Sequence, residues 1–175
     1  MALPKYRDPI IKAVVDLLEP KADSRLKGHY YYGDVLLVPK SMLPICSVSI
    51  DTEAVTTVNS LEDESKVPLV INVLTDWNDQ GGKDFDLQSG TNMLYEIIAA
   101  RNDDFTFRAD SMLGLLRSAQ GVQPVQDQKI YLGIDDDRVT ADFGIGVERR
   151  GAGIFSIEGT IRITATINTP ASGIQ

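Results

Sequence analysis

The chain has 175 residues, 43% of them hydrophobic and 24% charged, with a formal net charge of −8 and an isoelectric point near 4.6. That composition excludes wholesale disorder and fits one domain, since a domain near this length buries about two-thirds of its unfolded surface. The acidic balance argues against binding nucleic acid, which needs clustered Lys and Arg to neutralise phosphates, and favours a soluble, anion-repelling surface.

Cys46 is the single cysteine, so the chain can form no internal disulfide and suits a reducing compartment. No apolar run approaches the ~20 residues that span a bilayer. The start, Met1-Ala2-Leu3-Pro4-Lys5, lacks an apolar signal core. The expectation is a protein made and used in a cytoplasm, without a membrane partner.

A helix is predicted over 9–19. Asp8 can cap it, Pro9 suits its first turn, and Ile10, Ile11, Val14, Val15, Leu17 and Leu18 fall on one stripe. Pro20 ends it. Residues 20–43 read as a looser stretch punctuated by Gly28, Gly33 and Pro39, with a Tyr30-Tyr31-Tyr32 run. From Pro44 the period changes to two: Cys46, Val48 and Ile50 alternate with serines, a strand with a proline at its mouth. Residues 53–58 are expected to be its partner. After a polar loop at Glu62-Asp63-Glu64-Ser65, Val67 to Trp77 reads as a longer, central strand, with Leu69, Ile71, Val73 and Trp77 on one face.

Asn78 to Asp86 reads as a flexible polar loop. A helix follows over about 90–101, with Leu94, Ile97, Ile98 and Arg101 on one side. A second, short helix carries Met112, Leu113, Leu115 and Leu116 and is capped in this reading by Asp110; Gly121 and Pro124 close the region. The last third alternates most clearly. Val139, Ala141, Phe143, Ile145 and Val147 oppose Thr140, Asp142, Gly144, Gly146 and Glu148, and the alternation resumes from Phe155 to Asn168. A turn over Arg149-Arg150-Gly151-Ala152-Gly153 makes this an antiparallel hairpin spanning 138–168. At about ten residues a side, or roughly 33 Å, it is long enough to project past the core.

Helices and strands segregate, and βαβ alternation is absent. The fold class is therefore α+β: a mixed or mainly antiparallel sheet packed against helices, in a single domain over 1–175, with 169–175 expected as a flexible tail.

Chemistry-bearing motifs are sparse. His29 is the only histidine, which excludes zinc sites that need two or more, and it sits beside three tyrosines in an expected loop. Gly81-Gly82-Lys83 lacks the spacing of a phosphate loop and is followed by Asp84 rather than Ser or Thr. Asp135, Asp136 and Asp137, with Asp142, form the densest carboxylate cluster and the one candidate site for calcium or magnesium. The calcium-loop spacing fails there, because the twelfth position from Asp135 is Gly146. Cys46, alternating with Val48 and Ile50, reads as a buried, inert thiol. Arg149 and Arg150 at the hairpin tip can meet an acidic partner surface. The reading is of a non-enzymatic protein without cofactor.

The order of these elements carries a resemblance. An N-terminal amphipathic helix opening Asp8-Pro9-Ile10-Ile11 precedes a proline-led strand, Pro44 to Ile50. A long strand from Val67, two helices and a terminal alternating strand ending Ile161-Arg162-Ile163-Thr164-Ala165-Thr166-Ile167 complete it. The arrangement resembles the tail terminator, or tail-completion, proteins of long-tailed bacteriophages. Val122 to Asp137 and the Tyr30 to Tyr32 run have no counterpart in that pattern.

The resemblance implies a hexameric ring that caps the tail tube protein, ends tail polymerisation and offers a joint to the head–tail connector or stopper protein. It implies residence at the tail–neck junction of a virion after assembly in the host cytoplasm, with DNA passing through the lumen without specific binding. The interface and lumen candidates are then Asp142, Glu148, Arg149, Arg150, Glu158 and Arg162, and an acidic wall of Asp142, Glu148 and Glu158 would keep DNA from adhering.

The alternatives are a connector or stopper ring of the phage neck, a tail-tube subunit, a small acidic metal-binding enzyme built on Asp135 to Asp142, and an adaptor domain. Calorimetric titration with calcium and with magnesium separates the metal-binding reading from the rest. No micromolar binding of either ion is expected, and binding in that range would favour the metal module.

Overall fold

A computed structural model describes residues 8–33, 38–51, 54–59, 62–76, 87–119, 121–125, 128–132, 139–149 and 155–170. Trp77, the 78–86 loop, the Asp135–Asp137 cluster, the Arg150 to Gly153 turn and residues 171–175 lie outside them.

The first helix, α1 (Pro9–Leu18), begins where Asp8 accepts hydrogen bonds from the Ile10 and Ile11 amides at 2.8 and 3.2 Å. Those two donors have no partner inside the helix, and Pro9 has none to lose. Of the expected apolar stripe Ile10, Ile11, Val14, Val15 and Leu18 are buried and Leu17 is half-buried, with Ala13 buried beside them. The stretch expected to be loose contains a short 3₁₀ turn (Ser24–Leu26) and a strand, β1 (Tyr30–Tyr32), parallel to β2 (Ile45–Ile50). The tyrosines suit a strand because a bulky ring fits a pleated, half-buried surface.

Residues Ala54–Asn59 form β3, but they do not pair with β2. Both pair antiparallel with β4 (Glu62–Asp76), lying end to end along one of its edges. Ile50 stands opposite Leu69 and Ala54 opposite Lys66, so β2 and β3 meet β4 on either side of Val67 and Pro68. Pro68 sits at this gap. A proline in a central strand loses a ladder donor, and here it stands just beyond the last pair of β2. The Pro68 carbonyl still accepts from the Asp51 amide at 3.0 Å. The polar run Glu62 to Ser65, expected as a loop, is strand because backbone partners flank it on both edges. Ser65 is buried and Lys66 exposed, which continues the alternation of the apolar half.

The other edge of β4 pairs with β8 (Phe155–Pro170) over fifteen consecutive positions, from Glu62 opposite Pro170 to Asp76 opposite Ser156, with no shift of register. At ~3.4 Å per residue the ladder is about 50 Å long. β8 therefore runs two residues into the segment expected as a tail. On its outer side β8 takes β7 (Thr140–Arg149) in the expected hairpin, with Gly144, Ile145 and Gly146 together opposite Glu158. Two extra residues keep the two-residue period in phase, so Phe143 and Val147 hold equivalent register positions opposite Gly159 and Ile157.

The segment around Gly121 and Pro124, expected only to end a helix, is strand. β5 (Gly121–Val125) pairs with β6 (Gln128–Leu132), and β6 joins β8 in parallel at Leu132 opposite Thr166. Pro124 is tolerated because β5 is outermost. Among the described residues the result is one eight-stranded mixed sheet in an α+β fold.

Among the described residues three α-helices cover one face. α2 (Leu87–Ala99) sets Leu94, Ile97 and Ile98 on β4 and β8, while α1 rests on β2, β5 and α3 (Met112–Ser118). α3 is capped by Ser111, whose hydroxyl accepts from the Gly114 amide at 3.1 Å, and not by Asp110. Asp110 lies one residue too early and is taken by Arg108 in a two-bond pair at 2.6 and 3.0 Å. Arg101, expected on α2, follows the helix and is exposed.

Beneath α2 the sheet offers Gly159. A Cβ there would stand 2.4 Å from Ile98 Cδ1 and 3.2 Å from both Leu94 methyls, so the bare backbone sets how closely the helix approaches. Thr75, fully buried, donates toward the Gly90 and Ile157 carbonyls at 3.3 and 3.4 Å across the same seam. Gly159→Ala should cost about 1–3 kcal/mol by overpacking. Combined with Ile98→Val it should cost less than the sum of the two single changes. Urea denaturation of the four proteins reads the coupling, and strict additivity would contradict this packing.

Candidate functional site

Residues opposite one another in an antiparallel pair share a face. Leu69, Ile71 and Val73 on β4, Ile157, Ile161 and Ile163 on β8, and Cys46 and Val48 on β2 therefore line the helix-covered side, where all are buried. The even-numbered positions of β4, β8 and β7 look the other way. One corner of that second face is closed by a small cluster of Val38, Ile45 and Leu74, with Tyr31, Met42 and Leu43 against it. Lys40 pins the corner to Asp76 at 3.0 Å.

The rest of that face carries no helix among the described residues, and it is polar. Thr140 and Asp142 on β7 stand opposite Arg162 and Thr160 on β8, with Asn72 on β4 on the far side of Thr160. Thr140, Asp142 and Arg162 are exposed; Asn72, Glu158, Thr160 and Thr164 are half-buried. The Thr160 hydroxyl donates to Asn72 Oδ1 at 2.8 Å, tying two strands across the face. Glu158 accepts from the Ser156 hydroxyl at 3.0 Å. A shallow groove of about 230 Å³ runs beside Thr140 and Arg162 over Pro68 and Val70.

Of the sequence-derived candidates, the structure brings Asp142, Glu158 and Arg162 together on this open face. Glu148 holds the register position opposite Ser156, and Arg149 the one opposite Phe155. Arg150 and the Asp135, Asp136 and Asp137 cluster lie outside the described residues. The face is not uniformly acidic: Arg162 and Lys66 interrupt it.

The candidate reactive groups have structural surroundings. Cys46 is fully buried in the core, and burial pushes its thiol well above the usual range. His29 Nδ1 lies 3.0 Å from the Pro44 carbonyl, joining the start of β1 to that of β2. Arg25 donates to both Asp23 oxygens at 2.9 and 2.6 Å and to Glu96 on α2 at 3.0 Å. The Arg25 hydrogen bonds hold the Asp23 carboxyl below the usual carboxylate range. Among the described residues no three His, Cys, Asp or Glu side chains group as a metal site would require.

Two features escaped sequence reasoning. Tyr95 on α2 stacks on Phe143 of β7, ring centroids 4.2 Å apart. The turn after α2 is closed by an isolated bridge between Arg101 and Phe107, with the Arg101 guanidinium 4.0 Å over the Phe107 ring. The turn-forming Asn102-Asp103-Asp104 was the available signal for the second. Nothing in the periodicity of either strand or helix pointed to the first.

No protein-family model matches this chain, and comparison with curated proteins returned no significant match. No described helix is long and apolar enough to cross a membrane.

If the open face is a surface that the fold itself does not use, Asp142→Ala and Arg162→Ala should each change stability by less than about 0.5 kcal/mol. Thermal and urea melts check this, and a loss well beyond that from either variant would place the face inside the folded core's energetics.

Proposed function

We propose that this protein is a structural assembly subunit that works by presenting its open sheet face and its surface turns to other copies and to a neighbouring tube or connector. Its most specific form is a tail-terminator ring of a long-tailed phage. The observation that carries the reading is the division of the sheet: helices bury one face, while the other displays Asp142, Thr160, Glu158 and Arg162 over a stiff ladder. A long, well-paired sheet with a polar outer face suits a ring wall, because it can face an aqueous lumen or a neighbour without unfolding cost.

The mechanism in this reading is occupancy. A tube grows because each ring offers the same interface to the next, and growth stops when a subunit covers that interface without reproducing it. The chain's own part is to close into a ring and to meet the tube with one surface and the connector with another. Carboxylates such as Asp142 and Glu158 on the lumen side would discourage DNA from adhering, with Arg162 left for contacts between subunits.

The second reading, a connector or stopper ring, uses the same open face, and one experiment divides the two. Electron microscopy of lysates from a phage lacking this gene should show over-long, headless tails beside filled heads. Tails of normal length beside unjoined heads would favour the connector, and intact particles would remove the protein from the virion.

A further inference from the structure

Phe107 receives a guanidinium from each of two elements. Arg101 stands opposite Phe107 in the isolated bridge that closes the turn after α2, with its guanidinium carbon 4.0 Å over the ring centroid. Arg117, in the last turn of α3, brings a second guanidinium carbon to 5.8 Å from the same centroid. Gly114 permits that approach. A Cβ there would stand 2.1 Å from the Arg108 carbonyl oxygen, so only bare backbone lets α3 lie against the chain that leaves the bridge. Arg117 follows three residues later on the same side of the helix. The two charges are thereby held no more than about 10 Å apart, roughly the screening length at 0.1 M salt.

Like charges brought this close repel, and the described residues do not neutralise them. Arg25 and Arg108 each take a carboxylate. Arg117 is exposed and makes no hydrogen bond or ion pair with any described residue. Arg101 gives one N–H to the Phe105 carbonyl at 2.6 Å. That bond orients its guanidinium but leaves its other donors, and its charge, without a carboxylate among the described residues. In a chain of net charge −8, such a pair is no by-product of a basic surface.

Both arginines and Phe107 line one pocket of about 400 Å³, with Thr106 and Ser118 beside them, a size that suits a small ligand. Two guanidinium forks beside an aromatic ring select an oxyanion with two acceptor groups. Asp104 decides between carboxylate and phosphate. It is held at the pocket by hydrogen bonds from the Thr106 amide and hydroxyl at 3.1 and 2.6 Å, and its charge penalises a phosphate dianion more than a singly charged carboxylate.

We propose that Arg101 and Arg117 form a binding site for a diacid, one carboxylate to each guanidinium beside Phe107. The diacid is a pair of neighbouring acidic side chains on a partner protein or a free organic dicarboxylate. The site lies on the helix side of the sheet and does not depend on the ring reading.

Calorimetric titration of the full chain with glutarate and with an acetylated tetraglutamate peptide, at constant low ionic strength, reads both sources. Saturable binding of one probe per chain is expected. Tighter binding of the peptide assigns the site to a protein partner, and tighter binding of glutarate to a free diacid. Arg117→Gln should weaken binding roughly tenfold or more, the loss of one charge-assisted contact. Arg117→Lys, which keeps the charge without the fork, should fall between. Lys66→Gln, which removes the same charge from the other face of the sheet, should leave the affinity unchanged. No saturable binding of either probe would overturn the site. So would an equal loss in Lys66→Gln, which would mean that binding follows net charge alone. Tighter binding of inorganic phosphate than of both probes would overturn the assignment to carboxylates.

Discussion

Everything in this fold hangs on the fifteen-pair ladder between β4 and β8. Its middle is knit on the covered side by Leu69 with Ile163 and Ile71 with Ile161, cross-strand pairs whose branched side chains pack well on a pleated surface. Because the register never shifts, each residue of one strand fixes the facing of its partner along the whole length. Where the register shifts it does so on the flanking strands: between Thr57 and Asn59 of β3, and over the three residues of β7 opposite Glu158. Pro68, which offers no ladder donor, sits between the stretches of β4 that pair with β2 and with β3.

That rigid ribbon forces an asymmetry. Helices can approach one face closely because Gly159 leaves room for Ile98 and Leu94, and a helix in such contact excludes water from the branched residues beneath it. The other face is left with threonines, Asn72, Asp142, Glu158 and Arg162, which need no cover and gain little from one. A domain with one face committed to its core and one available is a natural unit for a wall built from repeated copies. The proposed ring rests on that availability.

Much of this was legible in the chain. The α1 stripe and its Asp8 cap, the alternation of the last two strands, and the apolar half of β4 each rest on periodicities that local sterics enforce, and they appear where the pattern put them. What was not legible depended on partners distant in sequence. Glu62 to Ser65 look like a loop until β3 and β8 flank them. Residues 53–58 look like the mate of β2 until β4 proves long enough to take both β2 and β3. Gly121 and Pro124 look like a terminator because an edge strand tolerates residues that a central one rejects. At the site, the facing of Asp142, Glu158 and Arg162 was implicit in the period of two, whereas the Tyr95–Phe143 stack joins a helix to a strand and leaves no trace in either.

The claim that β4 and β8 form one continuous body is tested most directly by hydrogen–deuterium exchange of the natural chain, read by peptide mass. Amides paired across 62–76 and 156–170 should exchange together at the slow end of the molecule, with the helix-covered stretch around 69–73 and 159–163 slowest of all. Rapid, loop-like exchange of 62–66 and 166–170 beside a protected centre would contradict it, leaving a short core sheet in place of a rigid ribbon.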